Sequence, residues 1–404
     1  MPTTAAAPLP PSAGERRHAL LRIARDVADD LATDAIDRDR AGEPPGDETA
    51  RLREAGLLAA LTPSSPGGAD WRTGCAVIRE VAAADSSLGE VLAHHYAHAW
   101  GGRFYASHHS ATALEEEAAR EQWLWAGTVR VPGSAHDTGG PDLTLTPLDA
   151  GYVLHGRRPV ATAVTVADQF LVDAVCVVTG DALVVRIPAD AEGVITEPAP
   201  DRLGLRAAGA GAVVMDGVVV TPRQVLGLRP QDEESTAPFT ALADPALRLA
   251  LCHVGLGTAE GALAEARDLG LNSRTSGPPG DDPDLLLTYG ELASTAQTAA
   301  AVVERATDAM TLALSAGAEL DPEDPAAVDA LVAMAETVTT RAALHITTRV
   351  LELADAPGLD RFWRNARTLT AHHPAAHRLR AIGDHFLNGR RPATASTGVC
   401  PDLV

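Results

Sequence analysis

The spacing of apolar residues changes twice along the chain, and this order limits the folds that the sequence can adopt. Over residues 13–122 apolar side chains recur every three or four positions, which is typical of amphipathic helices. Between residues 123 and 228 the period becomes two, in short runs such as LTLTPL and ALVVRI that turn residues separate. Residues 240–395 return to long helical runs with short connections. The sequence therefore predicts an α+β protein with an N-terminal helical domain, a central β-barrel or β-sandwich and a C-terminal four-helix bundle.

Several helix starts can be predicted from capping residues. Asp at the N-cap accepts backbone N–H bonds, and Pro at the first helical position loses no hydrogen bond. The predicted starts in the bundle are the pairs Asp244–Pro245, Asp282–Pro283 and Asp321–Pro322, with a last helix after Pro374. In the N-terminal domain, Ser86 or Ser87 is expected to cap a helix that carries Leu88 to Trp100.

The charge of the chain excludes two classes of partner. A formal net charge of -21 repels nucleic acids and anionic membranes, because both require clustered Lys and Arg. No window approaches the roughly 18 apolar residues of a membrane-spanning helix, and the first residues lack the pattern of a signal peptide. The four cysteines have neither zinc-ligand nor disulfide-framework spacing. We therefore expect a cytoplasmic protein without a metal, although His94 and His98 could share one if a third ligand existed.

Five segments distributed over most of the chain carry a family resemblance. They are LREAGLLAALTPSSPGG, AADSSLGEVLAHHYAHAW, DRLGLRAAGAGAVVMDGVVVTP, RLALCHVGLGTAEGALAEARDLG and DRFWRNARTLTAHHPAAHRLRAIGDHFLNG. Together with the order of helices, β-domain and bundle, they resemble the acyl-CoA dehydrogenase superfamily. The last segment is the most specific, and it resembles the flavin-dependent monooxygenase branch that includes dibenzothiophene monooxygenase.

The resemblance implies a two-component monooxygenase, of the kind that often serves specialised metabolism. Such an enzyme receives reduced FMN from a separate flavin reductase. Through a C4a-hydroperoxide of the flavin, it transfers an oxygen atom from O2 to a nitrogen, sulfur or carbon atom of a small molecule. FAD is a less favoured cofactor, and the resemblance also implies a homotetramer.

Two alternative functions stay open. The first is a flavin desaturase of the acyl-CoA dehydrogenase type, which needs a carboxylate base. The segment RNARTLTAHHP contains no acid where the resembling dehydrogenases place theirs, and this favours the monooxygenase. The second alternative is a non-catalytic flavin-fold protein.

The same resemblance assigns three candidate catalytic residues. His372 aligns with a histidine beside the flavin that could steer a proton, and the alternative is a polar residue at a helix start. His95 aligns with a histidine near the flavin and substrate, or is a hydrogen-bonded core residue. Thr162 aligns with a small hydroxyl residue that can donate to the flavin, or is an ordinary strand threonine. Leu369 departs from the family, which has a histidine at that position.

Five further residues are candidates for holding the flavin. A phosphate is best bound by guanidinium groups, and Arg274 aligns with an arginine that relatives use for this purpose. Arg349 and Arg367 are further phosphate candidates, with Asn365 close to Arg367 in the sequence. Thr128 lies in AGTVRVPGS, which resembles the strand that meets the flavin ring. For each arginine the alternative is a surface ion pair with one of the many carboxylates.

Overall fold

A computed structural model gives the fold of the protein. It describes residues 12–61, 69–130, 143–199, 201–230, 236–272, 283–354, 356–370 and 375–389. Within this part helices come first, a β-sheet follows, and long helices come last. The predicted α+β class is therefore confirmed. The domain boundaries near residues 122 and 228 stay a prediction.

Seven helices precede the sheet in the part of the chain described. They are α1 (Ala13–Ala32), α2 (Ala35–Ala41), α3 (Gly46–Glu54), α4 (Trp71–Ala84), α5 (Ser86–Ala99), α6 (Gly101–Tyr105) and α7 (His108–Glu121). Gly42 ends α2 and Gly56 follows α3, with φ angles of 62° and 74° that an L side chain rarely adopts. The two glycines therefore let the chain turn out of each helix without steric strain.

The start of α5 differs from the sequence prediction of a serine cap. Asp85 is the N-cap, because its carboxylate accepts the backbone N–H groups of Ser87 (2.8 Å) and Leu88 (3.2 Å). The same buried carboxylate also accepts a hydrogen bond of 2.5 Å from the guanidinium of Arg38 on α2. One aspartate therefore caps α5 and ties it to the preceding helices.

Eight strands form one sheet in the described residues. They are β1 (Trp125–Thr128), β2 (Thr144–Leu148), β3 (Gly151–Val160), β4 (Gln169–Cys176), β5 (Ala182–Pro188), β6 (Val194–Pro198), β7 (Gly211–Val220) and β8 (Val225–Leu228). The order across the sheet is β6-β7-β3-β2-β4-β5-β8, and β1 pairs with β4 outside this path. β1 and β2 run parallel to β4, whereas the other pairs are antiparallel. β4 is buried over most of its length, as expected for a strand covered on both faces.

Five helices follow the sheet in the described residues. They are α8 (Ala243–Asn272), α9 (Pro283–Ala316), α10 (Asp324–Leu353), α11 (Asp360–Thr370) and α12 (Ala375–Asn388). α10 begins two residues after Pro322, the predicted first helical residue, because the carboxylate of Asp321 accepts the N–H of Glu323 (3.0 Å) in a turn. The second Asp-Pro pair, Asp324–Pro325, then opens the helix. No helix of the described part is both long and apolar enough to span a membrane.

Two glycines let α8 approach α4 closely. A Cβ atom at Gly261 would lie 2.0 Å from the carbonyl oxygen of Ala83, and one at Gly257 would lie 2.5 Å from that of Arg79. Because neither oxygen can move without moving the backbone of α4, only glycine fits at these positions. The pair of helices links the N-terminal helices to the bundle, so both parts share one core.

We predict that Asp85→Ala lowers the free energy of unfolding by about 2 to 4 kcal/mol, because it removes the N-cap of α5 and the most buried of the three carboxylates that bond Arg38. Urea unfolding followed by circular dichroism measures the change. Asp29→Ala on exposed α1 is the matched control and should be nearly neutral. Equal effects of the two substitutions would contradict the role given to Asp85.

Candidate active site

A cavity of about 420 Å³ lies where α5, the sheet and the bundle meet. This volume falls within the range of roughly 300 to 1,000 Å³ that is usual for small-molecule sites. Apolar side chains cover part of its wall, among them Leu171 from β4, Leu247 and Leu251 from α8, and Leu369 from α11. Charged side chains cover the rest. The cavity is the candidate active site.

One face of α5 lines the cavity. Glu90, His94 and His98 follow at four-residue steps, which places them above one another on a helix. His98 donates from Nε2 to the carbonyl oxygen of Gly127 (3.1 Å) on β1, and burial lowers its pKa to about 4. Its imidazole is therefore neutral near pH 7, and it joins α5 to the sheet at the cavity wall.

His95 points away from the cavity. Its Nδ1 accepts the backbone N–H of Trp125 (3.1 Å), and its Nε2 donates to the carbonyl oxygen of Leu58 (2.8 Å). Burial lowers its pKa to about 4. With both ring nitrogens bonded to backbone and 1% of the residue exposed, the contacts of His95 fit the core role rather than the catalytic one.

The two candidate threonines lie at different places. Thr128 lines the cavity, and its hydroxyl lies 2.7 Å from the carbonyl oxygen of Gly127 and 3.1 Å from that of Pro159. Thr162 is buried and is not among the residues that line the cavity, whereas its neighbour Ala161 is. The structure therefore brings Thr128, but not Thr162, to the candidate site.

A cluster of arginines covers the sheet side of the cavity. Arg130 and Arg158 line the wall, and both bond the fully buried carboxylate of Asp173 on β4. Arg158 donates to it over 2.9 Å and Arg130 over 3.3 Å, while Arg229 lies 3.5 Å from it. Burial lowers the pKa of Arg158. Sequence reasoning missed this cluster, although an aspartate inside the apolar run QFLVDAVC was a signal that a buried cation must face it.

In the part of the chain that the structure describes, the carboxylates that line the cavity are paired with arginines. On the bundle side, Arg248 bonds Asp244 (3.4 Å) and Glu336 (2.5 Å), and it also bonds Asp329 (2.6 Å) behind them. On α5, Glu90 pairs with Arg202 over 3.2 Å. Sequence reasoning missed these pairs as well. The site thus presents a polar wall whose acids are held by guanidinium groups.

Three further cofactor candidates are not among the residues that line the cavity. Arg349 pairs with Glu352 on the surface of α10. Arg367 is exposed and forms no ion pair with any described residue. The side-chain oxygen of Asn365 accepts the backbone N–H of Leu205 (2.7 Å), which is a structural contact. Arg274 and His372 lie outside the described residues, and their roles stay predictions.

Metal ligands are not grouped in the described residues. No cluster of three or more His, Cys, Asp or Glu side chains in this part could hold an ion. The rings of His94 and His98 lie 5.8 Å apart between centroids and have no third ligand among these residues.

Comparisons with known proteins agree with this architecture. Residues 249–376 match the family model of the acyl-CoA dehydrogenase C-terminal domain. The chain is 31% identical over 401 residues to a dibenzothiophene monooxygenase from Rhodococcus erythropolis, covering 93% of this chain and 94% of the relative. A probable FMNH2-dependent monooxygenase, SfnC, from Pseudomonas putida is 28% identical over 388 residues, or 92% of this chain and 96% of the relative. The crystal structure of TdsC from Paenibacillus sp. A11-2 with FMN and indole has a TM-score of 0.85 and 32% identity, covering 94% of this chain and 100% of that one.

The buried histidines predict a loss of stability in acid. In the folded protein the pKa values of His95 and His98 are about 4, whereas unfolded histidine titrates near pH 6.5. Below pH 6.5 the unfolded chain binds more protons than the folded protein does. The contribution of the two neutral histidines to the free energy of unfolding is therefore fully present above pH 6.5 and is lost as the pH falls towards 4. At pH 5 the loss is about 2 kcal/mol for each histidine.

Urea unfolding between pH 7.5 and pH 5 measures this dependence. His98→Gln should reduce the pH dependence of the free energy of unfolding by the contribution of one histidine. His109→Gln, at an exposed position of α7, should leave it unchanged. The same pH profile in wild type and His98→Gln would contradict the prediction.

Proposed function

Because the chain belongs to the flavin-dependent monooxygenases of the acyl-CoA dehydrogenase superfamily, we propose that it oxygenates a small molecule in the cavity with reduced FMN and O2. The observation that carries the proposal is the cavity of about 420 Å³, enclosed by α5, the sheet and the bundle. It offers an apolar wall for a planar ring and fixed polar groups around it. The oxygenated atom is a nitrogen, sulfur or carbon atom of the substrate.

FMN is the flavin that the relatives favour. One relative is named for FMNH2 and a matched structure holds FMN, which leaves FAD less favoured. The leucines of β4 and α8 provide apolar surface for the ring, and Thr128 lies on the wall where it could bond the ring edge. Arg274 and Arg367 are proposed to hold the phosphate. When bound, reduced FMN supplies the two electrons that activate O2, and a separate flavin reductase delivers it.

The residues of the chain supply a dry pocket and control of protons. His98 is neutral and buried, so it adds no charge beside the ring and fixes the carbonyl of Gly127. His372 is proposed as the residue that holds or moves the proton at the reacting oxygen.

The rival desaturase needs a carboxylate that is ready to remove a proton. Among the described residues, the carboxylates that line the cavity are Glu90, Asp244 and Glu336, and each is bonded to an arginine. This pairing disfavours a general base among them and supports oxygenation over dehydrogenation. A non-catalytic protein would have no need for the polar groups that converge on the cavity.

Turnover with labelled oxygen tests the function. Protein supplied with a flavin reductase, FMN, NADH and ¹⁸O2 should add one labelled oxygen atom to some member of a panel of sulfides, sulfinates and amines. His372→Ala should lower product formation roughly 10²- to 10⁴-fold, because unprotected activated oxygen is lost as hydrogen peroxide. Peroxide should therefore rise while FMN affinity stays unchanged. His373→Ala is the matched control.

Each contrary result has its own meaning. A desaturated product without label would replace the proposal by the dehydrogenase alternative, and absence of flavin binding would favour the non-catalytic one. If His372→Ala keeps the wild-type ratio of product to peroxide, oxygenation stands and the role of His372 falls.

We also propose a homotetramer in which neighbouring subunits complete each flavin site. Support comes from exposed apolar side chains on the bundle: Leu287 on α9 is 74% exposed, and Phe386 and Leu387 on α12 are 83% and 78% exposed. Light scattering at micromolar concentration should give four times the chain mass, and Phe386→Asp should lower it. Val219→Asp, at an exposed apolar position of β7, is the control. A monomeric wild type would refute the tetramer.

A further inference from the structure

A buried arginine on α12 has no ion-pair partner among the described residues. Arg378 lines the cavity and is only 8% exposed. No carboxylate of the described residues lies within salt-bridge distance of its guanidinium, and its Nε has no hydrogen-bond partner. Within the described part of the chain its guanidinium makes one long hydrogen bond, from Nη2 to Oγ1 of Thr340 (3.5 Å). A charge held in this way is costly unless something else binds it.

A second unpartnered group lies on the same wall. Thr339 on α10 lines the cavity, is 4% exposed, and its hydroxyl oxygen has no hydrogen-bond partner. Buried threonines elsewhere in α10 behave differently, since Thr337 and Thr347 donate to the carbonyl oxygen four residues earlier (2.9 and 2.7 Å). The hydroxyl oxygen of Thr339 is therefore a buried, unsatisfied group beside the cavity, and Thr340 follows it in the chain.

The carboxylates of this wall are bound to another cation. Asp244 and Glu336 both bond Arg248. The charge of Arg378 is thus not neutralised by an ion pair with the acids beside it. A guanidinium and a hydroxyl that converge on one cavity are the donors that bind an oxyanion.

We propose that Arg378, Thr339 and Thr340 form a subsite for an acid group of the substrate, a carboxylate, sulfinate or sulfonate. This inference rests on the proposed function, since it assigns a substrate class to the same cavity. The guanidinium pairs with the oxyanion and the Thr339 hydroxyl donates to it. An uncharged aromatic compound would leave both groups buried and unpaired, so the subsite selects against it.

Calorimetry with two probes of equal shape tests the subsite. Full-length protein saturated with oxidised FMN is titrated with benzenesulfonate and with methyl phenyl sulfone, which differ chiefly in charge. Wild type should bind the sulfonate at least about 10-fold more tightly. Arg378→Gln should raise the Kd for the sulfonate roughly 10- to 100-fold and leave that for the sulfone within about 2-fold. Thr339→Val should weaken only the sulfonate, by roughly 5-fold.

Arg380→Gln is the matched control, because Arg380 is exposed on the same helix. It should leave both probes unchanged. Thermal unfolding separates a binding role of Arg378 from a structural role, because the two roles predict opposite changes in the Tm of Arg378→Leu. Without a ligand Arg378→Leu should have a higher Tm than wild type, since it removes an uncompensated buried charge. Benzenesulfonate should raise the Tm of wild type and of Arg380→Gln, but not that of Arg378→Leu.

Three outcomes would overturn the subsite. The first is an equal affinity of wild type for the two probes. The second is a lower Tm of Arg378→Leu together with equal weakening of both probes, which would make Arg378 a structural residue. The third is that Arg378→Gln binds FMN more weakly than wild type does, while its affinities for riboflavin and for the sulfonate are unchanged. That result would make the flavin phosphate the oxyanion that Arg378 binds. Because these measurements need no turnover, their failure is distinct from a failure of oxygenation.

Discussion

The position of α5 depends on one buried carboxylate. Asp85 caps the helix and pairs with Arg38, so the first turn of α5 is fixed to α2 by contacts that do not involve the sheet. From Ser86 to His98 every residue of α5 is buried, which means that no solvent-exposed face sets its rotation. Hydrogen bonds set it instead: His95 bonds Leu58 and Trp125, and His98 bonds Gly127. The cavity exists because these contacts hold one face of α5 against the sheet.

The cavity is polar because its charges are bound to one another. Asp173 on β4 holds the arginines of the sheet side, and Arg248 on α8 holds the acids of the bundle side. Buried pairs of this kind add little to stability, since desolvation offsets most of the attraction. Their effect is to place fixed dipoles around the ligand, which need no reorganisation when charge develops. The same pairing removes the acids of the described wall from use as free bases.

The sequence predicted the fold much better than the site. Periodicity and capping residues are local signals, and they identified the helices, the strands and the start of α9. The site depends on contacts between distant segments. Three histidines lie within five residues of α5. If the helix were rotated about its axis by one residue, His95 would take the place of His94 at the cavity, so the sequence alone could not predict which ring reaches it. Arg378 and Thr339 come from different helices and carry no joint signal in the sequence.

Arg378 and the Thr339 hydroxyl on the bundle wall are groups that selection for stability alone does not explain. Elsewhere in the described cavity wall each carboxylate has a guanidinium partner. A sequence with a carboxylate beside Arg378 would have paired this guanidinium in the same way. A leucine at that position would fill similar space without a desolvated charge, and selection for stability alone would favour it. The cost of keeping Arg378 and the Thr339 hydroxyl without partners is recovered only when a ligand brings an oxyanion to them. Related enzymes can share the fold and the flavin chemistry, and yet the placement of such uncompensated groups on the wall decides which small molecule enters.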